Sequence, residues 1–267
     1  MVELTITLNP TTLDRLKAGL RLTAPEIKSS HRVEALARGL GFASNAELRS
    51  GLSLGDESRR VSPEAFSAYL AERDFPSSAS LLMRAVAHAI ILNVMDSDDR
   101  IHKWGWGCGR PERREDGRWE TSEAHYARFL SYRAELKSIY ATDQVLRAIA
   151  FLSRVPATRT IRPDTGSYRL KHIAENMICS YPDGEDLGPA YVANGPLIVA
   201  AVYLGFRYKT ERDRDGWDWP NVTFNMSKTH LHELDIEIRP NGSRAQDRRR
   251  REEARQRRQS WQSLEAY

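Results

Sequence analysis

Residues 78–95, SASLLMRAVAHAIILNVM, decide the class of fold. The stretch reads as a long apolar helix. Its apolar heart, residues 85–92, is interrupted by His88, so it falls short of the roughly 20 apolar residues that a membrane helix needs and reads as a buried core helix. Residues 196–204, bounded by Gly205, read the same way. With two such helices to bury, and shorter amphipathic ones around them, the chain is expected to be α+β and predominantly α-helical, with no membrane span.

Towards the N-terminus, Ser62-Pro63-Glu64 opens a short helix through Leu70, with serine as cap and proline in the first turn. Before it, Ser44 and Glu47 form a capping-box pattern for a short helix, and residues 25–40 make a helix that Gly41-Phe42 ends, glycine taking the left-handed turn. Asn9-Pro10 starts a helix over residues 11–20. Ahead of that, Val2, Leu4, Ile6 and Leu8 alternate with polar residues as in a half-buried strand. No basic stretch followed by an apolar core marks a secretory signal here.

Towards the C-terminus, residues 100–119 hold Trp104, Trp106, Trp119, four glycines and five arginines, too irregular for a helix and expected as a structured loop or hairpin. Helices over 120–140, 142–154, 166–179 and 197–204 follow, the last again stopped by Gly205-Phe206. Alternation at Val222, Phe224 and Met226, and at Leu234, Ile236 and Ile238, predicts two strands in a small hairpin. The chain thus divides into a small N-terminal strand-plus-helices unit (1–58), a helical middle (59–155), a compact C-terminal module with a minor β-hairpin (156–240) and a basic tail (241–267).

Residues 30–42, Ser30-His31-Arg32-Val33-Glu34-Ala35-Leu36-Ala37-Arg38-Gly39-Leu40-Gly41-Phe42, resemble a small helical domain of bacterial and plasmid proteins labelled glyoxalase-related. The aromatic residue that commonly follows is replaced here by Ala43-Ser44-Asn45. The resemblance implies no lyase activity. It implies a setting, the accessory proteins of plasmids and phages, and residues 166–175 are similar to uncharacterised proteins of the same elements.

Charge points to a partner. Between Arg244 and Arg258 eight arginines face three acidic residues, a surplus of five that exceeds the whole chain's +4 and leaves the rest at −1. A basic tail on a nearly neutral body suits a polyanion, nucleic acid first and an acidic protein second; a solvated or solubility-promoting helix is the plainer alternative. Arg248, Arg249, Arg250, Arg251, Arg255, Arg257 and Arg258 are the expected phosphate contacts, since guanidinium forks match phosphate oxygens. Trp261 and Tyr267 beyond them can stack on bases or dock on the body. In the middle of the chain, Trp104 and Trp106 interleaved with Arg110, Arg113, Arg114 and Arg118 offer flat aromatic faces beside cations, as single-stranded nucleic-acid sites do; the alternative is that the tryptophans anchor the loop to the core. Lys171 joins the set as an anion contact.

An enzymatic alternative is a hydrolase or nuclease in which Lys171 holds an anion and His172, oriented by Glu175, carries a proton. A metal form would add His230 and His232, which share a face if that segment is extended. The plainer reading of residues 168–175 is an amphipathic helix with a His–Glu pair. No P-loop, dinucleotide fingerprint, HExxH, GxSxG or paired CxxC occurs, so no cofactor is expected. Cys108 lacks an obvious base, and Asp96, Asp98 and Asp99 read as a polar turn rather than a cation loop. Two cysteines, Cys108 and Cys179, are too few for a disulfide framework, which makes the reducing cytoplasm the expected compartment. Self-association into a homo-oligomer is open.

Overall fold

Asn9, Ser44, Ser62 and Ser78 each accept a bond from a main-chain N–H two or three residues on, so the helix starts read from these residues are real starts. The computed structural model describes residues 2–52 and 55–265, with side chains as far as Arg258; the side chain of Trp261, and Tyr267, lie outside it. In chain order the elements are β1 (Thr5–Leu8), α1 (Pro10–Thr23), α2 (Ser29–Gly39), α3 (Asn45–Leu52), β2 (Glu57–Arg60), α4 (Pro63–Ala71), α5 (Ala79–Ser97), β3 (Ile101–His102), β4 (Gly105–Trp106) and α6 (Ser122–Leu136). A 3₁₀ turn (Ile139–Ala141) leads into α7 (Thr142–Leu152), α8 (Ser167–Ala174), β5 (Cys179–Ser180), β6 (Asp186–Gly188), α9 (Asn194–Tyr203), β7 (Tyr208–Arg212), β8 (Asp218–Phe224), α10 (Lys228–Ile238) and α11 (Ser243–Glu265). Helices hold 53% of the residues and every sheet has two strands, so the fold is α+β and mostly helical.

The centre is α5. Thirteen of its residues are buried, and it packs on α1, α4, α7 and α9. By length and composition α5 is apolar enough to cross a membrane, which the sequence reading had not allowed; in this fold that apolarity is spent on the core. Around it one continuous set of buried side chains runs from Val2 to Leu234. His88, inside α5, bonds the Lys137 carbonyl through Nε2.

Two helices end alike. At α2 the N–H of Phe42 reaches the Ala37 carbonyl and that of Gly41 reaches Arg38; at α9 Phe206 reaches Ala201 and Gly205 reaches Val202. Gly41 and Gly205 both sit at φ +82°. This double bond pattern needs a left-handed residue, hence glycine, and tucks the following phenylalanine under the last turn.

Other expectations need correction. Helix α2 begins at Ser29, not residue 25, because Ala24 and Ile27 turn into the core first. The strand expected from the alternation of Leu234, Ile236 and Ile238 does not form; these residues belong to helix α10. Ser227 caps it, and burial falls on Leu231 and Leu234, a helical spacing. The hairpin partner of β8 is instead β7, paired Tyr208 to Phe224 and Thr210 to Val222. Met226 lies past the strand and bridges Ala157. The helix expected over 166–179 stops at Ala174, and Cys179 enters the β5–β6 pair. Cys108 and Cys179 are both free.

Strand β1 pairs with β2 on one side only. On its other side the Tyr203 hydroxyl accepts the Thr5 N–H at 2.9 Å and donates to the Thr5 carbonyl at 2.6 Å.

Candidate nucleic-acid interface

The basic tail is helix α11, rooted in the body by a charge cluster. Asp235 on α10 is 2% exposed and receives Arg169 at 3.2 Å, Arg239 at 2.7 Å and Arg244 at 3.5 Å. One carboxylate for three guanidinia leaves an excess of two positive charges at the root of the arm. The excess registers on Arg169, whose pKa is lowered by burial first and by Arg244 second. Ala245 is buried beside the cluster and Arg244 before it is partly covered, while the described side chains beyond Ala245 are all turned to solvent.

Along α11 the arginines fall into order. Arg244, Arg248, Arg251, Arg255 and Arg258 follow at steps of four and three residues, which places them within roughly 80° of arc over roughly 21 Å of axis. The first four line a cavity of about 570 Å³, with Lys228 and His232 opposite on α10. Arg248 pairs with Glu252 at 2.9 Å, and Lys228 with Asp164 at 2.6 Å. Arg251, Arg255 and Arg258 make no ion pair among the described residues. Arg249 and Arg250 lie off the stripe, the former bonded to the Pro240 carbonyl and the latter to Asp247. Arg257, two residues past Arg255, is also off it.

The loop over 100–121 is pinned at its base. Asp98 accepts Trp106 Nε1 at 2.8 Å and the Tyr208 hydroxyl, and takes the Arg100 N–H at 2.8 Å. The Asp96/Asp98/Asp99 stretch is therefore a polar turn whose carboxylates serve the fold, Asp96 pairing with Arg15. Trp106 packs half-buried against the core with Arg100 over its ring, so it is an anchor and leaves the candidate surface. Gly105, at φ +142°, passes so close to β8 that an added Cβ would lie 2.1 Å from the Pro220 carbonyl; only glycine fits there.

Beyond the anchor the loop forms an exposed finger, residues 112–120, closed by Arg114–Arg118 and Glu112–Glu120 main-chain bonds. Arg128 on α6 holds its base through Glu120 at 2.6 Å and Glu112 at 3.1 Å. Arg110 is neutralised by Asp213 and Asp215, each at 2.6 Å, which ties the β7–β8 turn to the loop. Arg113, Arg114 and Arg118 are exposed and without an ion pair among the described residues, Arg113 lying 5.1 Å from the Trp119 ring centre. Between loop, α6 and β8 lies a groove of about 570 Å³ walled by Trp104, Tyr132 and Trp219. Trp104 is 43% exposed and Trp219 48%.

Trp217 and Trp219 escaped the sequence reading. The signal was present: they flank Asp218, whose side chain turns inward to Arg100, so in extended chain both rings share the outward face. Trp217 meets His125 edge-on at 6.1 Å.

His102 supports the groove from beneath. Its Nε2 donates to the Gly107 carbonyl at 2.8 Å, its Nδ1 accepts the Trp104 N–H at 3.2 Å, and its ring stacks on Tyr132. Burial, then the nearby Arg133 and Arg128, push its pKa down to about 4, against the opposing pull of the Gly107 bond. The unfolded chain binds that proton near pH 6.5 and the folded chain only near 4. Stability contributed by neutral His102 is therefore whole above pH 6.5 and is lost as pH falls towards 4. Between pH 7 and 4.5 the loss from this residue is about 2 kcal/mol. Urea-unfolding midpoints at the two pH values test this: His102→Gln should shrink the difference by that amount, and an unchanged difference refutes the assignment.

The His172 cluster is internally balanced. Lys171 is 6% exposed, bonds Glu175 at 3.0 Å and lies 5.3 and 5.1 Å from the Tyr168 and Tyr191 ring centres; it is withdrawn from any phosphate surface. His172 Nδ1 meets Glu175 at 2.7 Å. Burial works against ionised Glu175, but the His172 and Lys171 bonds hold its pKa below the ordinary value. His230 and His232 do not join them: on a helix, residues two apart point to different sides, and the two bond Ser227 and Arg244 respectively. Among the described residues no three His, Cys, Asp or Glu side chains gather as a metal site would require. No protein-family model, curated protein or solved structure matches the chain.

Proposed function

We propose that this chain is a non-enzymatic nucleic-acid-binding protein that grips phosphates with the arginine stripe of α11. The observation that carries the reading is the alignment of Arg244, Arg248, Arg251, Arg255 and Arg258 on one face of a helix rooted in the body, the first four lining a cavity that Lys228, paired with Asp164, closes on the other side. A solubility tail needs only charge, not order. A stripe with successive guanidinia separated by about one helical turn can follow a phosphate backbone, and each neutralised phosphate releases counterions. The likeness of residues 30–42 to plasmid and phage proteins makes an accessory role in a mobile element the setting we assign.

The test is fluorescence anisotropy of labelled single- and double-stranded oligonucleotides over a salt series, with polyglutamate as competitor. Contact by all five stripe arginines predicts a slope of log K on log salt of about −3.5 to −4.5. No binding of either oligonucleotide at low salt overturns the proposal. Displacement by polyglutamate at equal charge concentration would instead favour an acidic protein as the partner.

A further inference from the structure

We infer that the groove between Trp104 and Trp219 takes an unpaired base, which makes single-stranded nucleic acid the class of ligand; this rests on the proposed function and specifies it. Rings as large as indole contribute strongly when covered, yet two of them stand nearly half in water in the lining of one groove, together with Tyr132, which meets Trp104 edge-on. A volume of about 570 Å³ falls within the roughly 300–1,000 Å³ of small-ligand sites.

The walls are fixed before any ligand arrives. Asn194, 4% exposed at the start of α9, donates its two amide hydrogens to the Pro220 carbonyl at 2.9 Å and Asn221 Oδ1 at 3.1 Å, and the same nitrogen lies 3.4 Å from the Trp104 carbonyl. One buried amide thus clamps the chain of both tryptophan walls, and the contact of Gly105 with Pro220 holds them in register. A main chain already held beneath both rings lowers the ordering cost of binding, and flat faces suit a flat ligand.

Charge selects among flat ligands. The groove wall at Glu112 continues into the finger that carries Arg113, Arg114 and Arg118, which make no ion pair among the described residues although Glu115 and Asp116 share the finger. An aromatic slot beside unpaired guanidinia matches a base joined to phosphates. In a duplex the base faces are already stacked, so only an unpaired base can enter.

The groove and the arm lie within reach of one strand. Lys228 lies nine positions after Trp219, so the two are at most about 31 Å apart, roughly nine nucleotides at a rise of about 3.4 Å. A fifteen-nucleotide strand can occupy both.

The experiment measures binding of the full chain to labelled dT15, to an abasic strand of the same length and to a fifteen-base-pair duplex, at 50 mM salt. Wild type should bind dT15 at least tenfold more tightly than the abasic strand. Trp104→Ala with Trp219→Ala should erase that preference while binding of the abasic strand and duplex stays unchanged; Trp219→Phe, which keeps a flat face, should retain most of it. If the double variant fails to fold, Trp219→Ala alone decides, its ring being half in water already. Equal binding of dT15 and the abasic strand by wild type, or a preference that survives loss of the rings, overturns the inference and leaves the arm's phosphate contact standing. Failure of all three ligands to bind overturns the proposed function itself.

Discussion

Alanine at Arg248, Arg251 and Arg255 together will reduce the salt slope of oligonucleotide binding by about 2 to 3 and weaken binding at 50 mM salt on the order of a thousandfold. Each arginine removed is one phosphate no longer neutralised. Folding should hardly register the change: Arg251 and Arg255 have no ion-pair partner among the described residues, and Arg248 has only the exposed Glu252. Losing that pair costs about 0.3 to 0.5 kcal/mol, offset by alanine's higher helix propensity. The informative control is Arg249→Ala with Arg250→Ala, two positive charges on other faces of the same helix. Measured by anisotropy, a loss per arginine much smaller than on the stripe supports an ordered contact face. An equal loss per charge would reduce α11 to a diffuse cationic tail and remove the argument from geometry.

Asp235→Asn will destabilise the fold by about 3 to 5 kcal/mol, since it takes from three converging guanidinia the one buried carboxylate that bonds them. For a chain of this size that lowers the melting temperature by roughly 10 °C. Asparagine keeps the shape and removes only the charge, so lost packing cannot explain the result. The exposed pair of Glu3 with Arg60 is the comparison: Glu3→Gln should move the melting temperature by no more than about 2 °C, because ion pairs in water contribute little. Calorimetry of both variants checks the contrast, and an Asp235→Asn protein that melts with wild type refutes the central place given to this carboxylate.

Local chemistry made much of the fold legible. Asn9, Ser62 and Ser78 announce helices because their side chains satisfy main-chain N–H groups that would otherwise lack partners, and Gly41 and Gly205 announce ends because only glycine takes that turn at no cost. What needed the tertiary structure was pairing. Strand β2, Glu57-Ser58-Arg59-Arg60, is wholly polar and nearly all exposed, so no periodicity marks it as the partner of β1. Leu234, Ile236 and Ile238 alternate like a strand, but the cap at Ser227 and the burial of Leu231 outweigh three residues of pattern. The candidate interface divided in the same way. The arginine tail was visible as composition, while its stripe is visible only when the steps of four and three are laid on a helix. Trp106 and Lys171 looked like surface contacts because sequence cannot tell that Asp98 holds the one and Glu175 the other.

Tyr203 has a consequence for how copies of this chain behave in a crowd. An antiparallel pair of strands normally leaves two outer edges, each a template on which another molecule's strand can be laid, and sheets grow into aggregates by that route. Thr5 turns its N–H and its carbonyl to the outer edge of β1, and one phenolic hydroxyl occupies both. The sheet is thereby stopped at two strands along its most apolar member, at the expense of a single side chain from a helix end 198 residues away in sequence. Resistance to edge-to-edge polymerisation at high concentration is thus fastened to the docking of α9, a helix of the core, so the edge stays covered for as long as the core holds together.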